Sequence, residues 1–244
     1  MLSGEQNPKR SFWTTVPGIL TAVAALITAL TGVYLALKPT DKKPKQTPVI
    51  WEKVVIDRFS SPGPPWPDWW PIKKFSDENA NLQWTIHNGK YRWDINYIEN
   101  AEMFWPSPYL SVLEFKAAVD IKFVQSDNSF AAAGILFGHS DKDDYIYKLS
   151  NEGTFTLQFW DDDKRYWHPI IDWRPAQISL EETNRLEVTV EDNIIRLYIN
   201  NVFQQDIRQP NFTGGTVGLV VYGLKGRNVI VDFDNFELNR RFEE

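Results

Sequence analysis

Two hydrophobic periods divide the chain. From Ser11 to Leu37 no charged residue occurs, and the apolar positions show none of the alternation of a half-buried strand. As a helix, Val16–Leu37 would reach roughly 33 Å, enough for the ~30 Å hydrocarbon core of a bilayer. This pattern predicts a transmembrane helix over residues 12–37, behind a short N-terminal tail at residues 1–11. Pro17 falls in the first turn, where a missing N–H costs little, and Phe12, Trp13 and Tyr34 lie near the two ends, where amphipathic rings favour the interface. A cleaved signal peptide is the weaker alternative, because the run exceeds the ~7–15 residues of a signal h-region and no Ala-x-Ala-type cleavage site follows. Residues 38–48, KPTDKKPKQTP, then form a Lys/Pro-rich linker without a core former.

From residue 49 to 244 the period becomes two. Leu113, Phe115, Ala117, Val119, Ile121 and Phe123 alternate with polar or small residues, which predicts a strand with one buried face. The same alternation marks Leu82-x-Trp84-x-Ile86 and Tyr91-x-Trp93-x-Ile95, joined by Asn88-Gly89, the pair that best tolerates the positive φ angles of a type I′ hairpin. It returns in Phe155–Phe159, Leu186–Val190 and Ile195–Ile199, with Asn200-Asn201 turning the chain into Val202–Ile207. Thr216–Tyr222 and Asn228–Leu238 close the series, and the last needs a bulge near Asn235 to keep Phe236 and Leu238 facing inward. Roughly ten to twelve short strands with polar turns predict an all-β, antiparallel jelly-roll sandwich over residues 49–244.

The string AAAGILFGHSDKDDYIYKLSNEGTFTLQFW, then NRLEVTVEDNIIRLYINNVFQQDI, GGTVGLVVYG and VDFDNFEL, resembles the concanavalin A-like lectin/glucanase superfamily over about residues 110–238. The nearest branch looks like the laminin-G-like and 3-keto-disaccharide-hydrolase-type domains. This resemblance implies the sandwich, and an extracytoplasmic placement; it leaves activity open among sugar binders, glycosidases and adhesion modules.

Charge bears on orientation and partners. The 26 Lys+Arg and 32 Asp+Glu give a net charge of −6. Six of the basic residues and two of the acids precede residue 49, so the remainder holds 20 basic against 30 acidic residues, a net of −10. No basic footprint exists for nucleic acid. The Lys-rich linker favours a cytoplasmic C-terminal domain by the positive-inside rule, against the placement implied by the resemblance, which is preferred here.

Candidate chemistry is sparse. With no cysteine and three histidines, thiol chemistry and a His-rich metal centre are excluded as expectations. The Glu-x-Asp-x-x-Glu carboxylate string of the glucanase branch is absent. Its nearest counterparts are Glu187 with Glu191, and Asp232, Asp234 and Glu237; Asp234-Asn235 reads best as a bend anchored by backbone amides, and no catalytic residue is assigned. Asp141, Asp143 and Asp144, and Asp161, Asp162 and Asp163, make oxygen-rich strings that keep calcium as a candidate, but solvated turns explain them better, and no cofactor is expected. The same holds for Asp57 with Asp234.

Tryptophan is the unusual number, with 11 in the chain. Trp84 and Trp93 sit in hairpin register and read as core. Trp66, Trp69 and Trp70 fall in a Pro/Gly-rich segment, Trp105 in MFWPSP, and Trp160, Tyr166, Trp167 and Trp173 around a second irregular stretch. Such rings beside Asp, Asn and Lys can stack on the apolar faces of sugars, or can fold down as lids. The reading is a membrane-anchored, noncatalytic, single-pass binding module for carbohydrate or a surface glycopolymer. A protein-interaction or adhesion module is the alternative, and a glycoside-processing hydrolase a third.

Overall fold

The computed structural model describes residues 27–28, 49–60, 70–106, 110–127, 129–140, 144–209 and 211–242. Most of the expected membrane segment, the linker, Trp66 and Trp69 lie outside these residues. Among the described residues no helix is long and apolar enough to cross a membrane. Val49–Glu244 forms a compact unit separate from Met1–Pro48.

Among the described residues fifteen antiparallel strands build that unit: β1 (Trp51–Asp57), β2 (Lys74–Ser76), β3 (Ala80–His87), β4 (Lys90–Tyr97), β5 (Ala101–Pro106), β6 (Phe115–Gln125), β7 (Ala131–His139), β8 (Tyr145–Ser150), β9 (Thr154–Asp161), β10 (Tyr166–Pro175), β11 (Asn184–Glu191), β12 (Ile194–Ile199), β13 (Val202–Arg208), β14 (Thr216–Gly223) and β15 (Asn228–Arg241). A nine-stranded sheet runs β13-β12-β11-β6-β15-β4-β3-β2, with β1 also paired to β15, and a six-stranded sheet runs β10-β9-β8-β7-β14-β5. The two sheets share one apolar core, the arrangement of a β-sandwich. Two tyrosines tie the layers: Tyr97 Oη on β4 donates to the Val221 carbonyl on β14 at 2.9 Å, and Tyr147 Oη on β8 donates to the Tyr198 carbonyl on β12 at 3.3 Å.

The turns follow the asparagines. Asn88 and Gly89 have φ of 50° and 71°, and Asn200 and Asn201 of 51° and 63°, the left-handed pair a type I′ turn demands. Trp84 stands opposite Trp93 in the β3–β4 ladder, and both are buried. The last strand breaks register between Asp234 and Glu237, where Asn235 has φ 47° and donates its N–H to its neighbour's Asp234 Oδ1 at 2.8 Å. That bulge lets Phe233, Phe236 and Leu238 all reach the core.

Three places differ from the sequence expectation. Trp105 belongs to strand β5, not to an irregular loop. Trp160 lies on β9, and Tyr166, Trp167 and Trp173 on β10, because the Asp-rich string is only a tight hairpin turn between two strands. Trp70 does follow a Pro-rich segment, yet it is only 6% exposed and packs against Phe59, Tyr91 and Phe236. It is a core residue, because the chain beyond it turns inward: the Tyr91 hydroxyl holds the Pro71 carbonyl at 2.9 Å.

Candidate functional site

Strand alternation assigns each face of the six-stranded sheet. On β8, Tyr145, Tyr147 and Leu149 enter the core, so Ile146, Lys148 and Ser150 occupy the outer face. By the same parity β9 presents Gln158 and Trp160 outward, β14 presents Val220 and Tyr222, and β5 presents Glu102 and Phe104. β10 changes parity at a register shift between Ile171 and Arg174. Ile171 therefore reaches the core while Trp173, two residues on, lines the outer face.

These outward residues enclose a groove of about 700 Å³. Trp160, Trp167, Trp173, Tyr222, Phe104 and Phe130 form its walls, and Asn100, Glu102, Asp144, Lys148 and Gln158 supply its polar groups. The walls brace one another edge to face: Trp160 meets Trp167 at 5.4 Å between ring centroids, and Trp173 meets Phe130 at 5.1 Å. Trp167 also packs on a small apolar cluster of Leu136, Ile146 and Val220 beneath it.

The floor is low because β7 offers only small residues there. Gly134 stands opposite Lys148 in the ladder, and a Cβ on it would come within 1.9 Å of the Tyr147 carbonyl oxygen. Across this trough Lys148 reaches Glu102, three strand spacings away, or about 14 Å between strand axes. The lysine side chain is 2% exposed and the glutamate 11%. Lys148 Nζ also lies over the Tyr222 ring at 5.3 Å and the Trp173 ring at 5.8 Å. Burial pushes the Glu102 carboxyl above and the Lys148 ammonium below their usual ranges, and each partner's charge opposes that shift.

This ion pair is incompletely satisfied. Glu102 Oε2 is buried with no hydrogen-bond partner, and so is Gln158 Oε1. Two acceptors of the same groove are therefore shielded from solvent and unbonded, where each would ordinarily cost about 1–3 kcal/mol. At the rim, His139 Nδ1 and Asp144 Oδ1 are 2.6 Å apart.

A smaller slot of about 310 Å³ lies beside the groove, between β5 and strands β2 and β3. Glu102 and Phe104 border both spaces. Trp105 belongs to this slot, against Trp84 at 5.2 Å.

Of the aromatic residues singled out in the sequence, Trp160, Trp167 and Trp173 come together in the groove and Trp105 in the slot. Tyr166 is 45% exposed and lies tilted against His168 at 4.0 Å between ring centroids, outside the groove lining. Glu102, Lys148, Gln158 and Tyr222 were not singled out. The one legible signal was a lysine inside the otherwise apolar string Tyr145-Ile-Tyr-Lys148-Leu149.

Apart from Asp144 at the groove rim, several of the candidate acids are committed elsewhere. Asp232 accepts both arms of Arg92, at 2.6 and 2.8 Å, and Glu191 pairs with Arg196 at 3.0 Å. Asp161 pairs with Lys164 and His168 at 3.2 and 3.1 Å, and Asp162 accepts from Trp160 Nε1 at 2.6 Å. Asp57 accepts the Phe59 N–H at 2.7 Å; burial raises its pKa, and the Asp234 charge adds to the rise. Asp141 and Asp143 lie outside the described residues, among which no three His, Asp or Glu side chains gather as metal ligands.

No family model and no curated protein sequence matches the chain. Solved structures do share its fold. The carbohydrate-binding module CBM66 from Bacillus subtilis is similar over 67% of this chain and 93% of its own, at 16% identity and a TM-score of 0.51. The laminarinase from Rhodothermus marinus is similar over 81% and 100%, at 11% identity and a TM-score of 0.55. SCLam, a non-specific endo-β-1,3(4)-glucanase from family GH16, is similar over 80% and 94%, at 9% identity and a TM-score of 0.57. The chain thus shares the antiparallel β-sandwich fold of these proteins.

Proposed function

We propose that the groove binds a saccharide and that the protein is a noncatalytic recognition module. The observation that carries this reading is the pair of buried, unbonded acceptors, Glu102 Oε2 and Gln158 Oε1, beneath a wall of aromatic rings. A sugar ring offers apolar C–H faces to the rings and hydroxyl donors to the acceptors, so one ligand meets both needs. The groove's charged groups favour an uncharged sugar: Lys148 is already neutralised by Glu102, and Asp144 adds a negative charge. The carbohydrate ligands and substrates of the fold's neighbours support the same class. A hydrolase gains no support from the acids, since Glu102 is held by Lys148 and the carboxylates near the last strand are bonded to arginine or backbone. A panel of neutral and acidic glycans, titrated against the protein and against Gln158→Leu, tests this reading. Binding of neutral glycans that Gln158→Leu weakens supports it, and absence of glycan binding rejects it.

The N-terminal reading completes the proposal. Residues 12–37 anchor the chain in a membrane, and the Lys/Pro-rich linker carries the sandwich on the extracytoplasmic side. The full chain should then require detergent for extraction, while a chain beginning at Thr47 should not. Unchanged fractionation after removal of residues 1–46 would contradict the anchor.

A further inference from the structure

We infer that the slot beside the groove is a second saccharide subsite, so that the ligand is an uncharged oligosaccharide lying across strand β5. This inference rests on the saccharide reading of the groove and extends it to a space outside the groove's aromatic walls.

Three observations converge on the slot. First, it adjoins the groove, since Glu102 and Phe104 border both spaces. Among the described residues β5 is an edge strand, paired only with β14, and no further strand of these residues blocks passage over it. Second, Trp84 lines the slot, and its Nε1–H is buried without an acceptor. Its partner in the ladder, Trp93, does not line the slot, so the orphan donor that matters here is that of Trp84. Third, the exposed Lys73 ammonium is held over two rings, 5.4 Å from the Trp84 centroid and 4.9 Å from that of Trp105. Among the described residues it makes no ion pair.

The two spaces differ in the unpaired groups among their lining residues. The groove's lining carries the unbonded acceptors Glu102 Oε2 and Gln158 Oε1, with Glu102 bordering the slot as well, whereas the slot's lining adds two donors, Trp84 Nε1–H and the Lys73 ammonium. One unit of a glycan would give hydroxyl hydrogens to the groove, and the next would accept through a ring, hydroxyl or acetamido oxygen in the slot. An anionic unit is disfavoured there. Asp77 shares the slot with Lys73, and one of its oxygens already takes the Asn79 and Ala80 N–H groups at 2.7 and 2.9 Å, which fixes its charge in place. The slot volume of about 310 Å³ stands at the lower end of the ~300–1,000 Å³ of ordinary ligand sites, enough for one small unit.

The test uses the full chain and a fixed probe panel of gluco-, xylo-, manno-, chito- and fructo-oligosaccharides of one to four units, titrated by calorimetry. A bound series should gain about tenfold in affinity between one unit and two or three, the factor of one good contact. Lys73→Met and Trp84→Phe should each remove that gain and leave the affinity for the single unit unchanged. Lys73 is exposed, so its replacement reads the slot even if Trp84→Phe disturbs the core. Binding with no length dependence, or a length dependence that both variants retain, overturns the second subsite while leaving the groove intact. Absence of binding by every series overturns the saccharide reading and the subsite with it.

Discussion

Replacing Lys148 with methionine should destabilise the sandwich by about 3–5 kcal/mol, because it strands the Glu102 carboxylate in a buried site. For a unit of this size the melting temperature should fall by roughly 6–20 °C. The double variant Glu102→Gln/Lys148→Met should recover most of the loss, since the cost lies in the unpaired charge more than in the missing contact. The pH dependence has a definite sign. Burial raises the folded-state pKa of Glu102 above its ordinary value of 4.5, and removing the lysine raises it further. A raised pKa contributes stability that is present below the unfolded value and lost as pH rises through the folded one. The deficit of Lys148→Met should therefore be small near pH 4.5 and grow above it. A single variant that melts with the parent chain at neutral pH would show that the pair does not exist as described.

Trp93→Ala should cost a similar amount, about 3–5 kcal/mol, by opening a cavity in a region that has no slack. Trp93 is fully buried, with Phe233, Tyr91 and Trp84 against it at 5.7, 6.1 and 5.4 Å between ring centroids. Trp93→Phe should cost less than Trp93→Ala, because the phenyl ring refills much of the space that alanine leaves empty. Chemical denaturation of both variants checks this, and equal losses would contradict it.

The sandwich could be read from the chain because strands such as β3, β4, β11 and β12 repeat every two residues and the hairpins at Asn88-Gly89 and Asn200-Asn201 carry Asn at left-handed positions. The Trp84–Trp93 pairing and the bulge at Asn235 came from the same arithmetic. The groove could not be read that way. Alternation tells which residues face outward, but not which outward face is a trough; that depends on Ala132 and Gly134 keeping the β7 floor low. Glu102 and Lys148 are 46 positions apart and meet only through the strand order β8-β7-β14-β5. Trp160, Trp167 and Trp173 looked like loop residues because the Asp-rich turn interrupts their alternation and a register shift in β10 breaks it again. Trp70 shows the converse error, where a Pro-rich neighbourhood suggested exposure and tertiary packing made the residue core.

The most direct test of the groove as a saccharide site is one paired measurement on Trp173→Ala and Trp160→Ala, with Trp93→Ala as the core reference. Trp173 is 37% exposed and Trp93 is fully buried, so their stability costs should separate clearly. Affinity for the bound glycan should fall about tenfold or more for each groove variant, in line with roughly 1–3 kcal/mol for a stacking ring, while the melting temperature stays near that of the parent. Groove variants that melt as early as Trp93→Ala and still bind the glycan with parental affinity would contradict the assignment.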